Sequence, residues 1–349
     1  MRIEGDVYKR QEPFYYSQMS KTERSVYHGM KTGLTALAPS FCVPRLEGRQ
    51  LADVFFKLRL DNPEIFYAVS FQYRGYRDSD KVEVIPEYLF DKGRVKEHKQ
   101  AMEARVAKLA RPALSMSEWD RELYIHDTIC STVRYDKLKK PYSHEIIGPL
   151  GQGVGVCEGI AKSVKILCDA LGIWCIIAIS EANPEKKIKY RHAWNVVRIG
   201  GVYVHLDATF DNSLSRGGTV RHDYFNLDDR SLFRDHEPAL YGIPSCTDGN
   251  RFYYREKKLS FTKTEEVAKR AAQAVKKGRE LIFHWRGGYL TREVLQELLG
   301  LMEQAAVQRG KHAAVSLNWP QAVLQVSFRD AEPAEELVVE EANEGERDG

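Results

Sequence analysis

The chain has 349 residues, 43% hydrophobic and 29% charged, with a formal net charge of +3. That is the composition of a soluble globular protein with room for two domains, and no apolar run approaches the 18 residues a membrane span needs. Six cysteines (42, 130, 157, 168, 175 and 246) show neither a C-x-x-C pair nor regular spacing. Neither a zinc site nor a disulfide framework is expected, and reduced thiols fit a cytoplasmic protein. No secretory signal opens the chain. Its first eleven residues, "MRIEGDVYKRQ", contain a stretch, "DVYKRQ", that resembles a translated library adaptor. Residues 1–11 are therefore expected to be artefactual, with the native start, and any signal it carries, missing.

In chain order, residues 19–37 and 47–60 read as helices, and 71–90 as two strands around a turn at Asp78–Ser79–Asp80. A charged helix over 93–110 stops before Pro112. These elements suggest an N-terminal α+β subdomain over 1–114, whose "NPEIFYA" (62–68) reads as an aromatic piece of core. A core domain over 115–261 opens with a helix in 115–136, with Ser117 as N-cap. Trp119, Leu123, Ile125, His126, Ile129, Cys130 and Val133 follow its apolar spacing. On that side His126 is expected to be a hydrogen-bonded core histidine.

The stretch "GQGVGVCEGIAKSV" (151–164) runs from glycines into a helical pattern: Ile160, Val164, Leu167, Cys168 and Leu171 share one face, and Gly172 supplies a stop. Cys157 then lies in the first turn, where unpaired N–H groups and the helix dipole favour a thiolate. Read alone, that cysteine is as well explained as a small core residue. Further on, "YRHAWNVVRIGGVYVHLDATFD" (190–211) reads as a hairpin, with strands 190–199 and 202–210 about the Gly200–Gly201 turn. Opposed residues then sum to 401, so Trp194 faces Asp207 and His192 faces Thr209. His192 and Asp207 become diagonal neighbours on one face. A carboxylate there fixes the imidazole tautomer and supports its charged form. Thiol, histidine and acid in this order point to a Cys157–His192–Asp207 site. Asn195 falls on the opposite face and reads as structural.

At this point "GVGVCEGIAKSVKILCDALGI", "HAWNVVRIGGVYVHLDATFD" and "YFNLDD" together resemble the transglutaminase-like superfamily, in particular its bacterial members, over about residues 116–236. Glu158 stands where that family often has Gln, and Phe210 where it often has Trp; neither change removes a catalytic group. The resemblance implies a papain-like α+β core, a cysteine helix packed on an antiparallel sheet, with Cys157 as nucleophile, His192 as base and Asp207 as orienting acid. It implies a cysteine-dependent acyl transfer at a peptide or isopeptide amide, most simply hydrolysis. Transamidation is the alternative within the enzyme class, and a non-catalytic scaffold the alternative outside it. Gln152 is a candidate oxyanion donor, by analogy with the glutamine upstream of the cysteine in papain-like enzymes. No cofactor or metal is expected.

The segment 222–238, "HDYFNLDDRSLFRDHEP", resembles the stretch just after the core in the bacterial proteins and could line the cleft; its acids lack EF-hand spacing. Near 262 the pattern changes. A capping box "TKTE" (262–265), a strand at 280–285, a helix from Thr291 to Gly310 and a hairpin around Pro320 make a small α/β module over 262–329, a candidate surface for a protein partner. Residues 330–349 carry nine acids against one arginine, a disordered acidic tail in composition, and their net −8 leaves +11 on residues 1–329. Within that basic remainder, "KLKK" (137–140) and "KKIK" (186–189) lie close in sequence to the catalytic segments. They read either as a solvated face or as a lure for an acidic substrate or a nucleic acid. No nucleic-acid motif accompanies them, so specific nucleic-acid binding is not expected and the expected substrate is a protein or peptide.

Overall fold

In the computed structural model, which describes residues 12–215 and 218–330, the cysteine segment is a helix over Cys157–Ala170. Ile160, Ala161, Val164, Leu167 and Cys168 are buried along it. Gly172 follows at φ +74°, the left-handed conformation that lets the chain leave a helix. The helix packs on a four-stranded antiparallel sheet whose strands lie in the order Trp174–Ser180, His192–Ile199, Val202–Leu206, Phe225–Leu227. Two side chains fasten helix to sheet. Asn195 donates to the carbonyls of Ala161 (3.0 Å) and Ile176 (3.2 Å), and Lys165 donates to that of Cys175 (3.0 Å). Asn195 is thus a structural residue.

Gly200 and Gly201 both have positive φ (+57° and +86°), as a two-residue hairpin turn with right-handed strand twist requires. The register is the expected one, with Asn195 opposite Leu206 and Val196 opposite His205. The second strand, however, ends at Leu206 and not at 210. Asp207 caps a new helix, Ala208–Leu214, accepting hydrogen bonds from the backbone N–H groups of Thr209 (2.8 Å) and Phe210 (3.1 Å). A carboxylate N-cap outweighs the strand preference of Thr209 and Phe210, so the expected pairings Trp194–Asp207 and His192–Thr209 do not form.

The segment that delivers Cys157 is more ordered than its glycines suggest. Ile147–Gln152 is a π-helical turn, and Val154–Gly155 pairs in parallel with Arg134–Tyr135. The N–H of Val156 then bonds the Ser143 carbonyl at 3.0 Å. Gly159 lies so close to that same carbonyl that a Cβ would collide with it.

Upstream lie helices Lys21–Thr35, Gly48–Asp61 and Lys92–Ala110 and a three-stranded sheet ordered Phe41–Pro44, Lys81–Tyr88, Ala68–Gly75. Helix Glu118–Thr132 begins at Ser117, whose hydroxyl accepts from the Asp120 N–H. Met30, Val54, Phe66 and Tyr67 belong to the same buried cluster as Ile125, Val164, Leu167 and Val197. The expected N-terminal subdomain and the cysteine helix therefore share one continuous core.

The chain divides into two compact units between Tyr253 and Tyr254. The second has its own sheet, ordered Ser260–Phe261, Leu281–Trp285, Val323–Asp330, Lys311–Asn318, covered by helices Thr264–Lys276 and Arg292–Val307 over Phe283, Leu298, Met302 and Leu324. The capping box expected at 262–265 does not form. The Phe261 carbonyl accepts from the Arg286 N–H at 2.8 Å, the chain stays extended one residue further, and Lys263 becomes the N-cap. The architecture is α+β. The expected artefactual start (1–11) and residues 331–349 of the expected acidic tail lie outside the described residues. Among the described residues no helix is long and apolar enough to cross a membrane.

Gly159→Ala should lower stability by about 2 kcal/mol or more, because the obstructing atom is backbone. Gly300→Ala, in an exposed helix with open space around it, should raise it by about 0.5–1 kcal/mol. Thermal unfolding of the two variants checks both signs.

Candidate active site

Cys157 occupies the first helical position, where its N–H has no partner within the helix. The side chain is half-buried, and its Sγ lies 4.0 Å from the carbonyl oxygen of Arg191, the residue before His192. His192 starts the second strand of the sheet. The helix N-terminus and the strand N-terminus therefore meet at the thiol.

His192 Nε2 donates to Asp207 Oδ2 at 2.6 Å. That leaves Nδ1 as the ring nitrogen able to meet the thiol. The ring is walled by Trp194, nearly parallel to it at 6.0 Å between centroids, and by Phe210 at 4.9 Å. Trp194 is itself held. Its indole N–H donates to His205 Nδ1 (3.1 Å), and His205 Nε2 donates to Asp229 (2.8 Å). With Nδ1 accepting, His205 is the neutral tautomer, and burial pushes its pKa down.

Asp207 is fully buried and completely engaged. Oδ1 accepts the two capping N–H groups, and Oδ2 accepts His192 and, at 2.9 Å, Nε2 of a second histidine, His236. His236 Nδ1 in turn bonds Asp235 at 2.8 Å. Burial would raise the Asp207 carboxyl, but the charge and hydrogen bonds of the two histidines hold it well below the usual carboxylate range. Burial lowers His192, but the Asp207 carboxylate and its hydrogen bond, with a further contribution from the Cys157 thiol, reverse that and lift it to about 10. His236 is raised as well, its burial offset by Asp207 and Asp235.

The structure thus brings His192 and Asp207 into direct contact and sets Cys157 beside them. The fourth sequence candidate, Gln152, ends the π-helical turn, is exposed, and has no hydrogen bond holding its side chain among the described residues. His236 escapes a reading of the sequence. It lies in the segment 222–238, which reads only as a cleft wall. Between it and Asp207 run 28 residues, whose described part holds the helix Ala208–Leu214, the short strand Phe225–Leu227 and the short helix Asp229–Leu232, and no periodicity marks it.

Behind Cys157 lies a buried ionic cluster. Lys162 pairs with Glu145 (2.9 Å) and Glu158 (2.7 Å), and Arg59 pairs with Glu145. Burial opposes ionisation of Glu158, yet Lys162, His144 and Arg59 keep its carboxyl well below the usual range. Glu158 therefore anchors the first turn of the cysteine helix.

Among the described residues, three side-chain groups gather donors suited to a metal ion: His192–Asp207–His236, His126–Asp127–His222 and His205–Asp229–Cys246. In each the histidines are satisfied by carboxylates. His126, the expected core histidine, bonds Asp127 (2.9 Å) and Asp211 (3.0 Å).

Residues 103–208 match the family model described as the transglutaminase-like superfamily, a window that contains Cys157, His192 and Asp207. No curated protein matches. Among solved structures the chain is similar to one described as "Crystal structure of a TGase", at 12% identity and a TM-score of 0.30, over 41% of this chain and 44% of that one. It is also similar to a "Putative Cysteine Protease from Cytophaga hutchinsonii", at 17% identity and a TM-score of 0.27, over 40% of this chain and 62% of that one. The chain spans less than two thirds of either.

The His192–Asp207 pair links stability to pH. His192 is raised on folding from its ordinary 6.5 to about 10, so its contribution is complete below about pH 6.5 and fades as pH rises through 10. Asp207 is lowered, so its contribution is complete above the ordinary carboxylate range and fades as pH falls. Asp207→Asn should therefore cost most, about 1–3 kcal/mol, between about pH 4.5 and 6.5. Melting temperatures of wild type and variant should converge towards pH 10; a constant gap from pH 5 to 10 contradicts the pairing.

Proposed function

We propose that the transglutaminase-like domain works as a cysteine-dependent acyl-transfer enzyme that hydrolyses an amide bond through a thioester on Cys157. The observation that carries this reading is the 2.6 Å bond from His192 Nε2 to the buried Asp207. It commits one ring nitrogen to orientation and leaves the other for the thiol at the start of the cysteine helix.

His192, with its raised affinity for a proton, takes the Cys157 thiol proton on Nδ1. The thiolate attacks the amide carbonyl carbon, and the oxygen takes up the negative charge. The unpaired N–H of Cys157 is the donor nearest to that charge, since Gln152 is not held in place. As the C–N bond breaks, His192 Nδ1 gives its proton to the leaving amine. His192, now neutral, accepts a proton from water, whose oxygen attacks the thioester carbon. The C–S bond then breaks, the acid leaves, and the Cys157 sulfur takes back the proton held by His192. The thiol is only half-buried, which favours water as the acceptor. Asp207 stays charged throughout and stabilises each imidazolium stage.

Iodoacetamide should alkylate Cys157 quickly at neutral pH, and His192→Ala should slow it at least tenfold. Screening a peptide and isopeptide library for acyl-Cys157 by mass spectrometry should trap the thioester. With a substrate so found, Cys157→Ala should abolish turnover, and Asp207→Asn should reduce kcat by about two to four orders of magnitude. A Cys157 that reacts no faster than a cysteine in an unfolded peptide supports the scaffold reading instead.

A further inference from the structure

Two basic segments that look unrelated in sequence form two banks beside Cys157. The first, 134–140, is fixed by backbone pairing to the strand just before the cysteine: the Arg134 N–H bonds Gly153 (2.9 Å) and the Asp136 N–H bonds Gly155 (3.0 Å). The second, 184–191, ends at Arg191, whose carbonyl lies 4.0 Å from the Cys157 sulfur. The banks touch, with Lys139 Nζ 3.3 Å from the centre of the Tyr190 ring.

Their charge is largely uncompensated. Arg134, Lys137, Lys139, Lys140, Lys187 and Lys189 are exposed and take part in no ion pair among the described residues. The nearby acids are mostly spent elsewhere. Asp136 is buried and bonded to the N–H groups of Leu138 and Lys140 and to the Ser143 hydroxyl. Glu181 holds Arg191, Glu237 holds Lys186, and Glu158 holds Lys162. The two acids on the banks themselves, Asp136 and Glu185, take part in no ion pair among the described residues, and they leave the six cations in excess. Between the cations stand apolar groups that ordinarily avoid water: Tyr135 (44% exposed), Leu138 (77%) and Tyr190 (65%).

Exposed lysines scattered over a surface are a solvated face. Six unpaired cations on two segments that flank one thiol, interleaved with exposed aromatic and aliphatic side chains, make a local positive potential beside apolar surface. We propose that the acyl donor is an acidic peptide: its carboxylates lie along these banks and its apolar side chains against Tyr135, Leu138 and Tyr190 while the amide reaches Cys157. This rests on the acyl-transfer reading and names its substrate class. An amide-cleaving site favours a peptide over a nucleic acid, the other polyanion that cations and tyrosines could attract.

The test is protection of Cys157 from iodoacetamide, a neutral reagent. Alkylation is followed by mass spectrometry at low salt with no addition, with hexaglutamate, with hexalysine or with a six-residue oligothymidylate. The proteins are wild type and the variant Lys137→Gln, Lys139→Gln, Lys140→Gln, Lys187→Gln, Lys189→Gln, all exposed positions. Hexaglutamate should slow wild-type alkylation by about threefold to tenfold, an effect lost in 0.5 M salt and in the variant, and hexalysine should give none. No protection by hexaglutamate, equal protection in the variant, or protection by the oligonucleotide alone overturns the proposal. The readout is a ratio on one thiol and so does not depend on how reactive that thiol is. Slow alkylation under every condition counts against the acyl-transfer reading; an unchanged ratio counts against this one.

Discussion

The arrangement of side chains around His192 hangs on one buried carboxylate. Asp207 has no solvent contact, and each of its oxygens is committed twice, to two backbone N–H groups on one side and two imidazoles on the other. A lone carboxylate in that position would be neutral at pH 7. Four donors and the positive end of the Ala208–Leu214 helix keep it charged. Its charge in turn keeps a proton on His192, and that proton decides the state of whatever faces the other ring nitrogen. The fold serves this arrangement: the Gly200–Gly201 turn fixes the register, and the sheet presents His192 where the cysteine helix begins.

The local rules of sequence reach far into this site because its parts are close in the chain. The hairpin is legible since two glycines in tandem favour positive φ, and its register follows from simple counting. The cysteine helix is legible from Ile160, Val164, Leu167 and Cys168. The strand end is not. Thr209 and Phe210 look like strand residues, and only the structure shows that Asp207 captures their N–H groups and turns the chain into a helix. The π-helical turn before Cys157 is hidden for a similar reason, as Gly151 and Gly153 suggest irregular chain while Ile147–Gln152 is wound. His236 is out of reach altogether, because its meeting with Asp207 is a matter of tertiary packing across an irregular segment.

The lysine runs teach the complementary lesson. Their composition is plain in the sequence, and their meaning there is open between a solvated face and a substrate surface. Position decides between those readings more than charge does. Pairing with the strand before Cys157 on one side, and the peptide bond to His192 on the other, put both runs at the same thiol. The buried Lys162–Glu145–Glu158–Arg59 cluster has the opposite character. Its charges are matched, removed from water, and devoted to holding the first turn of the cysteine helix in place.

The central claim, that Asp207 holds a proton on His192 beside Cys157, is tested most directly by following the His192 ring nitrogens by NMR across pH. The account predicts that His192 stays doubly protonated through pH 8, and that in Asp207→Asn it titrates near its ordinary value of about 6.5. A wild-type His192 that loses its proton near pH 6.5, or one that titrates alike with and without the carboxylate, would contradict it.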